Sequence, residues 1–405
     1  MRAVVWRGVG DIAVESVPDP KIEDPSDAIL RITTSAICGT DLHFVRGTMG
    51  PMREGTVLGH EAVGVVEEVG HGVRNLQPGD RVVACSTVGC GNCSYCRGGF
   101  HAQCDGYNPN GQAAGTVVLG GPKSVGGLDG LQAEYARVPQ AHTTLVPLPD
   151  EVSDEKAIMA SDILPTGWFG AQLAEVLPGR TVAVFGCGPV GLFAIASARH
   201  MGAGRVLAVD GIESRLEQAR RLHAEPVNFN AEDPVQTVQE LTGGIGTDRV
   251  IDAVGVEAEP PRSGPAAEQA QQLESTFAGE VGQVAPQSNM AGGDTWVPGA
   301  APSQAARWSV QAVAKAGTLG IIGVYPPTLD SWPLGAAMNK NLTVRMGNCN
   351  HRAYMPAMID LVKSGDINPL EVITQREPLP DAVSAYETFD RRESGWTKVT
   401  LDVAS

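Results

Sequence analysis

The first part of the chain, to about residue 150, carries short runs in which apolar and polar positions alternate: AVVWRG, AILRITTSAI, AVGVVEEVG, DRVVACS and AEYARVP. Period-two alternation turns one face of a strand inward. Glycines and turn signals such as Gln77-Pro78-Gly79-Asp80 separate the runs. The pattern predicts a small, irregular, mostly antiparallel β-domain. From Thr181 the texture changes: TVAVFG is followed by helical spacing over 189–200, then RVLAVD, the helical SRLEQARRLHA, and the further strands DRVIDAVG and GTLGIIGVY. Continuous apolar strands alternating with helices predict an α/β unit whose parallel sheet is covered on both faces. Helical spacing near 355–364 and 381–391 precedes a last strand, KVTLDV, which is expected to rejoin the first domain. The expected division is 1–163 with 345–405, and 164–344.

One stretch breaks the pattern. Residues 257–305 are rich in Ala, Gln, Glu, Gly, Ser and Pro and show no sustained hydrophobic period. They read as a mobile surface insertion or as a functional loop over a cofactor.

At 405 residues there is room for two cores. A formal charge of −16 disfavours a general nucleic-acid or anionic-membrane binder, since both need basic patches. No run approaches the roughly 20 apolar residues needed to span a bilayer. The N-terminal MRAVVWRGVGDIAVESV lacks a signal-peptide core. A cytoplasmic protein is the expectation, and the eight cysteines fit it if most are metal ligands rather than disulfides.

Four of those cysteines form a C-x-x-C-x-x-C-x7-C array: Cys90, Cys93, Cys96 and Cys104. Closely spaced thiolates on a loop, about residues 85–110, can wrap one tetrahedral zinc and leave it no open position, so the site would hold structure and do no chemistry. A disulfide pair or an iron–sulfur site would use the same residue type.

Gly186-Cys-Gly188-Pro-Val-Gly191 follows the strand-like TVAVF and opens a helix. That context makes G-x-G-x-x-G a dinucleotide fingerprint: the first glycine turns, the second admits the pyrophosphate, and the third lets helix and strand approach. Asp210 ends the next strand, 24 residues after Gly186. A carboxylate there accepts from ribose hydroxyls and repels an extra phosphate, favouring NAD over NADP. Arg215 could touch the same ribose or a 2′-phosphate, or lie on a solvated helix face.

Cys38-Gly39-Thr40-Asp41-Leu42-His43 and Gly59-His60-Glu61 are each weak alone. With the cysteine lobe and the dinucleotide fingerprint they make the chain resemble the zinc-containing medium-chain alcohol dehydrogenases almost end to end. The segment Ser161-Asp162-Ile163-Leu164-Pro165-Thr166-Gly167 is similar to the glutathione-independent formaldehyde dehydrogenase and dismutase branch.

The resemblance implies a GroES-like catalytic domain and a Rossmann cofactor domain, two zinc ions per chain, and NAD. It implies Cys38, His60 and Asp162 as catalytic zinc ligands; a carboxylate is an acceptable ligand, and the alternative is that Asp162 caps a helix or supports the site from behind. Glu61 is the rival ligand and is read as a neighbour of the site, Asp41 as structural. A metal-bound alcohol would lose its proton and then hydride to the nicotinamide. Thr40 and His43 match the family's proton relay; taken without the motif, His43 reads as a solvated turn residue.

Also by resemblance, Thr166, Val190, Gly323 and Val324 border the nicotinamide, and Lys398 stands where the family places a basic pyrophosphate contact. Phe44, Cys85 and Trp168 would complete a pocket for a small alcohol, or an aldehyde as its hydrate. The insertion 257–305 would slow NAD release, and a homodimer or homotetramer would form. Two other function classes stand beside hydride transfer to exchangeable NAD: aldehyde dismutation with retained NAD, and a non-enzymatic dehydrogenase-like binding protein.

Overall fold

The computed structural model describes residues 1–111, 115–288 and 294–403. They form two compact units: Met1–Pro165 with Gln287–Val297 and Asn348–Ser405, and Thr166–Pro286 with Pro298–Gly347.

In the first unit the strand Ala28–Ile37 is central, flanked antiparallel by Ala62–Val69, Tyr135–Val138 and the C-terminal Val399–Asp402. Arg81–Ala84, Leu145–Pro147 and Gln375–Pro378 complete a seven-stranded sheet. A smaller sheet joins Asp11–Ser16, Arg2–Gly8 and Thr56–Val57. The inward residues of the alternating runs, among them Val4, Leu30, Ile32, Leu58 and Val82, meet Tyr386, Phe389 and Leu401 in one core. The last strand does rejoin the first domain, with Val399 opposite Ile37 and Leu401 opposite Ser35.

The second unit is a six-stranded sheet, all parallel, in the spatial order Glu225–Asn228, Arg205–Asp210, Thr181–Phe185, Thr247–Asp252, Val313–Ile321, Thr343–Met346. In chain order that is 3-2-1-4-5-6, the doubly wound arrangement whose ligands sit beyond the carboxyl ends of the strands. The helices Pro189–His200 and Glu213–Arg221 cross between the first three strands. Both expected fold classes, the β-rich unit and the doubly wound unit, are therefore present.

The stretch 257–305 needs correction. It contains the helices Pro265–Gln272 and Glu274–Val284. Phe277, Val281 and Val284 are buried at spacings of four and three, so a helical period exists but is diluted by the polar residues between. Farther on, Trp296 packs against the core of the first unit and its N–H donates to Asp390 Oδ2 at 2.5 Å. The same carboxylate accepts from Arg46 at 2.8 Å and 2.7 Å, an ion pair in which both side chains are 2% exposed. Residues 289–293 lie outside the described part of the chain.

Among the described residues no helix is long and apolar enough to cross a membrane.

Candidate metal and cofactor sites

Cys38 ends the central strand of the first unit and caps the helix Gly39–Arg46. The cap is reciprocal: the Cys38 sulfur faces the Asp41 backbone, and Asp41 Oδ2 accepts from the Cys38 N–H at 2.9 Å. The helix N-terminus favours negative charge and so suits a thiolate. His60 and Glu61 precede the neighbouring strand Ala62–Val69, and Asp162 precedes the helix Ile163–Leu173. One ligand atom from each of Cys38, His60, Glu61 and Asp162 falls within 4.8 Å of all the others.

Asp162 Oδ2 lies 3.0 Å from His60 Nε2 and 3.8 Å from Cys38 Sγ. With zinc bonds of about 2.0–2.3 Å, ligand atoms on a tetrahedral ion stand about 3.3–3.8 Å apart, so these three fit one ion after small adjustments. The donor set, one soft sulfur, one imidazole and one carboxylate, also suits zinc.

The charges around this pocket suit it to a cation. Burial opposes a charge on His60, yet Asp41 and Asp162 outweigh it and hold the imidazole well above its usual range. Burial likewise raises Asp162, but His351 and His60 keep it well below the usual carboxylate range. Cys38, wrapped in protein, is pushed up by burial. The negative charge that retains a proton here is the charge a divalent ion would displace it from.

Two neighbours fix the first ligands. Asp41 Oδ1 stands 3.0 Å from His60 Nδ1, leaving Nε2 to face Asp162. Asp41 thus stands behind His60 as well as capping the helix. Its own support is Gln132, whose amide reaches Asp41 Oδ2 at 3.4 Å and whose carbonyl accepts from Tyr386 at 2.8 Å.

Lys398 corrects an expectation. Its ammonium is fully enclosed and donates to both oxygens of Glu61, at 2.8 Å and 2.7 Å, and to the Ile37 carbonyl at 3.0 Å. Burial works against its charge but Glu61 outweighs that and raises its pKa. A lysine so enclosed offers no donor to a pyrophosphate. Sequence gave no sign of this, because an alternating last strand does not say which side chain finds a buried partner.

His43 is not on a solvated turn. It lies in the same helix as Thr40, is 4% exposed, and its Nδ1 stands 2.7 Å from Thr48 Oγ1. Thr40 is half-buried in the first turn. Cys85 also differs from expectation, with its thiol turned to the Thr143 carbonyl and to Met355.

The residues beside it, Ser86 and Thr87, face His351, which the sequence reading missed. His351 Nε2 donates to Asp162 Oδ1 at 2.7 Å, and Thr87 Oγ1 stands 3.1 Å from Nδ1. Burial disfavours its charge, but Cys349 and Asp162 outweigh burial and push it up to about 10. A lone histidine in Asn350-His351-Arg352, 189 residues from its partner, carries no spacing signal.

The second cluster is the expected one. The sulfurs of Cys90, Cys93, Cys96 and Cys104 lie within 4.8 Å of one another and no disulfide joins them. Backbone N–H groups of Asn92, Cys93 and Cys96 point at Cys90 and Cys93 sulfurs at 3.4 Å, and that of Cys90 at Cys104 Sγ at 3.2 Å. Such donors favour thiolates.

In the second unit the glycine fingerprint follows the strand Thr181–Phe185 and opens the helix Pro189–His200. Gly186 has φ +87°, as its turn requires. A Cβ on Gly191 would lie 1.8 Å from the Gly186 carbonyl oxygen, so only glycine allows that approach. At Gly188 a Cβ would meet nothing within 4 Å; the space beside it, at a helix N-terminus, is what a phosphate would fill.

Asp210, at the end of the next strand, accepts from the Cys187 N–H at 2.7 Å and the Ile212 N–H at 2.9 Å. It therefore ties the glycine turn to its strand. Val190 lies half-buried in the first turn of the Pro189–His200 helix, and Arg215 half-buried in Glu213–Arg221. Gly323 and Val324 follow the strand Val313–Ile321 and press on the Gly255 loop, where Val256 N–H donates to Val324 O at 3.0 Å. Thr166 lies in the first turn of Ile163–Leu173, and Trp168 rests on His200, ring centroids 5.5 Å apart.

Comparison with known proteins agrees with this geometry. Residues 24–150 match the family described as alcohol dehydrogenase GroES-like domain, and residues 189–262 match zinc-binding dehydrogenase. The chain is 39% identical to the uncharacterized zinc-type alcohol dehydrogenase-like protein AdhB of Bacillus subtilis, over 99% of this chain and 100% of that one. It is 37% identical to the glutathione-independent formaldehyde dehydrogenase of Pseudomonas aeruginosa, over 96% and 94%. Among solved structures it resembles alcohol dehydrogenase TADH from Thermus sp. ATN1, with a TM-score of 0.79, 36% identity and 100% of both chains covered.

Proposed function

The chain belongs to the zinc-containing medium-chain alcohol dehydrogenase family, and on that premise we propose that it transfers hydride between a small alcohol or aldehyde (as its hydrate) and NAD. The observation that carries the proposal is the convergence of Cys38, His60 and Asp162, with Glu61 beside them. Zinc held there would draw electron density from a bound oxygen and ease loss of its proton, and a nicotinamide would take or return the hydride.

The chain's own residues do the rest. Cys38, His60 and Asp162 would hold the ion, and Asp41 stands behind His60. Thr40 and His43, one turn apart on the capped helix, carry the proton away, with His43 steadied by Thr48. In the cofactor unit, residues 164–344 by sequence, Gly186, Gly188 and Gly191 seat the pyrophosphate. Asp210 meets the adenosine ribose, which favours NAD over its 2′-phosphorylated form. The four cysteines, their sulfurs gathered within 4.8 Å, would hold a second, structural zinc. The relative named a formaldehyde dehydrogenase supports a small aldehyde as substrate.

Asp162→Ala tests the reading. The variant should lose one zinc per chain and its alcohol-dependent NADH formation while keeping the four-cysteine zinc and its far-UV dichroism. Full zinc content and activity in that variant would refute the ligand set. A panel of formaldehyde, short alcohols, aromatic alcohols and polyols, followed by NADH fluorescence, identifies the substrate. Equal alcohol and acid formed from an aldehyde without added NAD would make the enzyme a dismutase instead.

A further inference from the structure

Asp162 presents its two oxygens to different partners. Oδ2 faces His60 Nε2 at 3.0 Å and Cys38 Sγ at 3.8 Å, while Oδ1 faces His351 Nε2 at 2.7 Å. A carboxylate beside a zinc ion can bind through one oxygen or through both. Binding through both would raise the coordination number and occupy the position a substrate oxygen needs. We propose that His351 is a positioning residue that keeps Asp162 a one-oxygen ligand, by donating Nε2–H to Oδ1 and leaving Oδ2 alone to face the metal. The inference rests on Asp162 being a zinc ligand.

The surroundings of His351 suit that task. The imidazole is 4% exposed, so water does not compete for the bond. Two hydroxyls hold the ring as well: Thr87 Oγ1 stands 3.1 Å from Nδ1, and Ser86 Oγ lies 3.2 Å from Nδ1 and 3.1 Å from Nε2, farther from Nε2 than Asp162 Oδ1 is. Both hydroxyls come from the segment just after the strand Arg81–Ala84.

The backbone is fixed too. His351 is the first residue of the helix His351–Ser364, and the residue before it, Asn350, accepts at Oδ1 from the Ala102 N–H at 3.1 Å. Ala102 lies inside the cysteine lobe, between Cys96 and Cys104. The lobe therefore braces the helix end that carries His351, which gives a metal site of purely structural chemistry a mechanical link to the reactive one. Histidine ligands of zinc are commonly aimed by a carboxylate behind them; here the roles are exchanged, and a histidine aims a carboxylate.

The test compares His351→Leu, which removes the donor, with His351→Gln, whose amide can place an N–H where Nε2 stood. Zinc release from loaded protein to a chromogenic chelator reports affinity, with the four-cysteine zinc as internal reference. The visible spectrum of cobalt-substituted protein reports coordination number without any turnover. For His351→Leu the expected result is reactive-site zinc released about 10- to 100-fold more readily, together with a cobalt spectrum weakened as four-coordinate metal becomes five-coordinate. His351→Gln should behave as the parent protein.

The proposal is overturned if His351→Leu holds zinc and cobalt as the parent does, or if His351→Gln loses them. Should His351→Leu fail to fold, His351→Gln alone decides on the same criteria. Asp162→Ala, run in parallel, separates this inference from the reading beneath it. If that variant keeps its full zinc, Asp162 is no ligand; if it loses one zinc while His351→Leu does not, only the role of His351 falls.

Discussion

His60 Nδ1 stands 3.0 Å from Asp41 Oδ1, in a pocket where the imidazole side chain is 2% exposed and the carboxylate wholly buried. The carboxylate that caps Cys38 therefore also stands against the His60 nitrogen turned away from Asp162. Asp41→Asn keeps the shape and removes the charge. It should weaken reactive-site zinc binding by about 10- to 100-fold, read by chelator competition, without releasing the four-cysteine zinc. Unchanged affinity would show that shape alone aims His60.

The buried pair Glu61–Lys398 makes a stability prediction. Lys398→Met leaves Glu61 charged and enclosed, which should cost about 3–5 kcal/mol. Adding Glu61→Gln should return a large part of that loss, because the uncompensated charge goes with it. Urea midpoints of the two single variants and the double variant give the coupling. Additive losses would mean the pair contributes nothing as a pair.

Gly188 and Gly191 should separate binding from folding. Gly191→Ala drives a methyl into the Gly186 carbonyl, 1.8 Å away, and a backbone oxygen cannot swing aside; about 3 kcal/mol of stability should go. Gly188→Ala meets no protein atom within 4 Å, and its φ of −66° suits any residue. Its stability should change by about 0.5 kcal/mol or less, while NAD affinity falls about tenfold or more. Thermal melts with and without NAD distinguish the two.

A pH prediction concerns Asp248. Burial would raise its carboxyl, but the N–H and hydroxyl of Thr181, each 2.9 Å away, together with Arg180 and Arg249 hold it below the usual value. A depressed folded-state pKa adds stability above the unfolded value and loses it as pH falls through the folded one. Asp248→Asn should cost about 1 kcal/mol or less at pH 7, since the side chain is 34% exposed and partly screened. The gap from the parent should close on acidification below about pH 4. A gap that persists into acid would assign the effect to packing.

What sequence revealed and what it hid divide along a physical line. Strands and helices with strong periods were legible, such as TVAVF and Pro189–His200, because burial of one face repeats at fixed spacing. Metal ligands on short spacings, Cys90 to Cys104, were legible for the same local reason. The helices at Pro265–Gln272 and Glu274–Val284 were hidden by alanine and glutamine. Lys398 and His351 were illegible since their roles depend on partners 337 and 189 residues distant. Asp41 was visible as a residue, but its second contact exists only when two strands lie side by side.

Lys398, just ahead of the C-terminal strand Val399–Asp402, meets Glu61, and the earlier helix His351–Ser364 supplies His351. A ribosome delivers these residues last. Until residues 351 and then 398 are made, Asp162 lacks its donor and Glu61 its counter-ion, whereas the second unit, which ends at Gly347, is by then complete in sequence. A chain shortened by ten residues would keep Cys38, His60, Asp162 and His351 but lose Lys398, leaving the enclosed Glu61 carboxylate without its counter-ion.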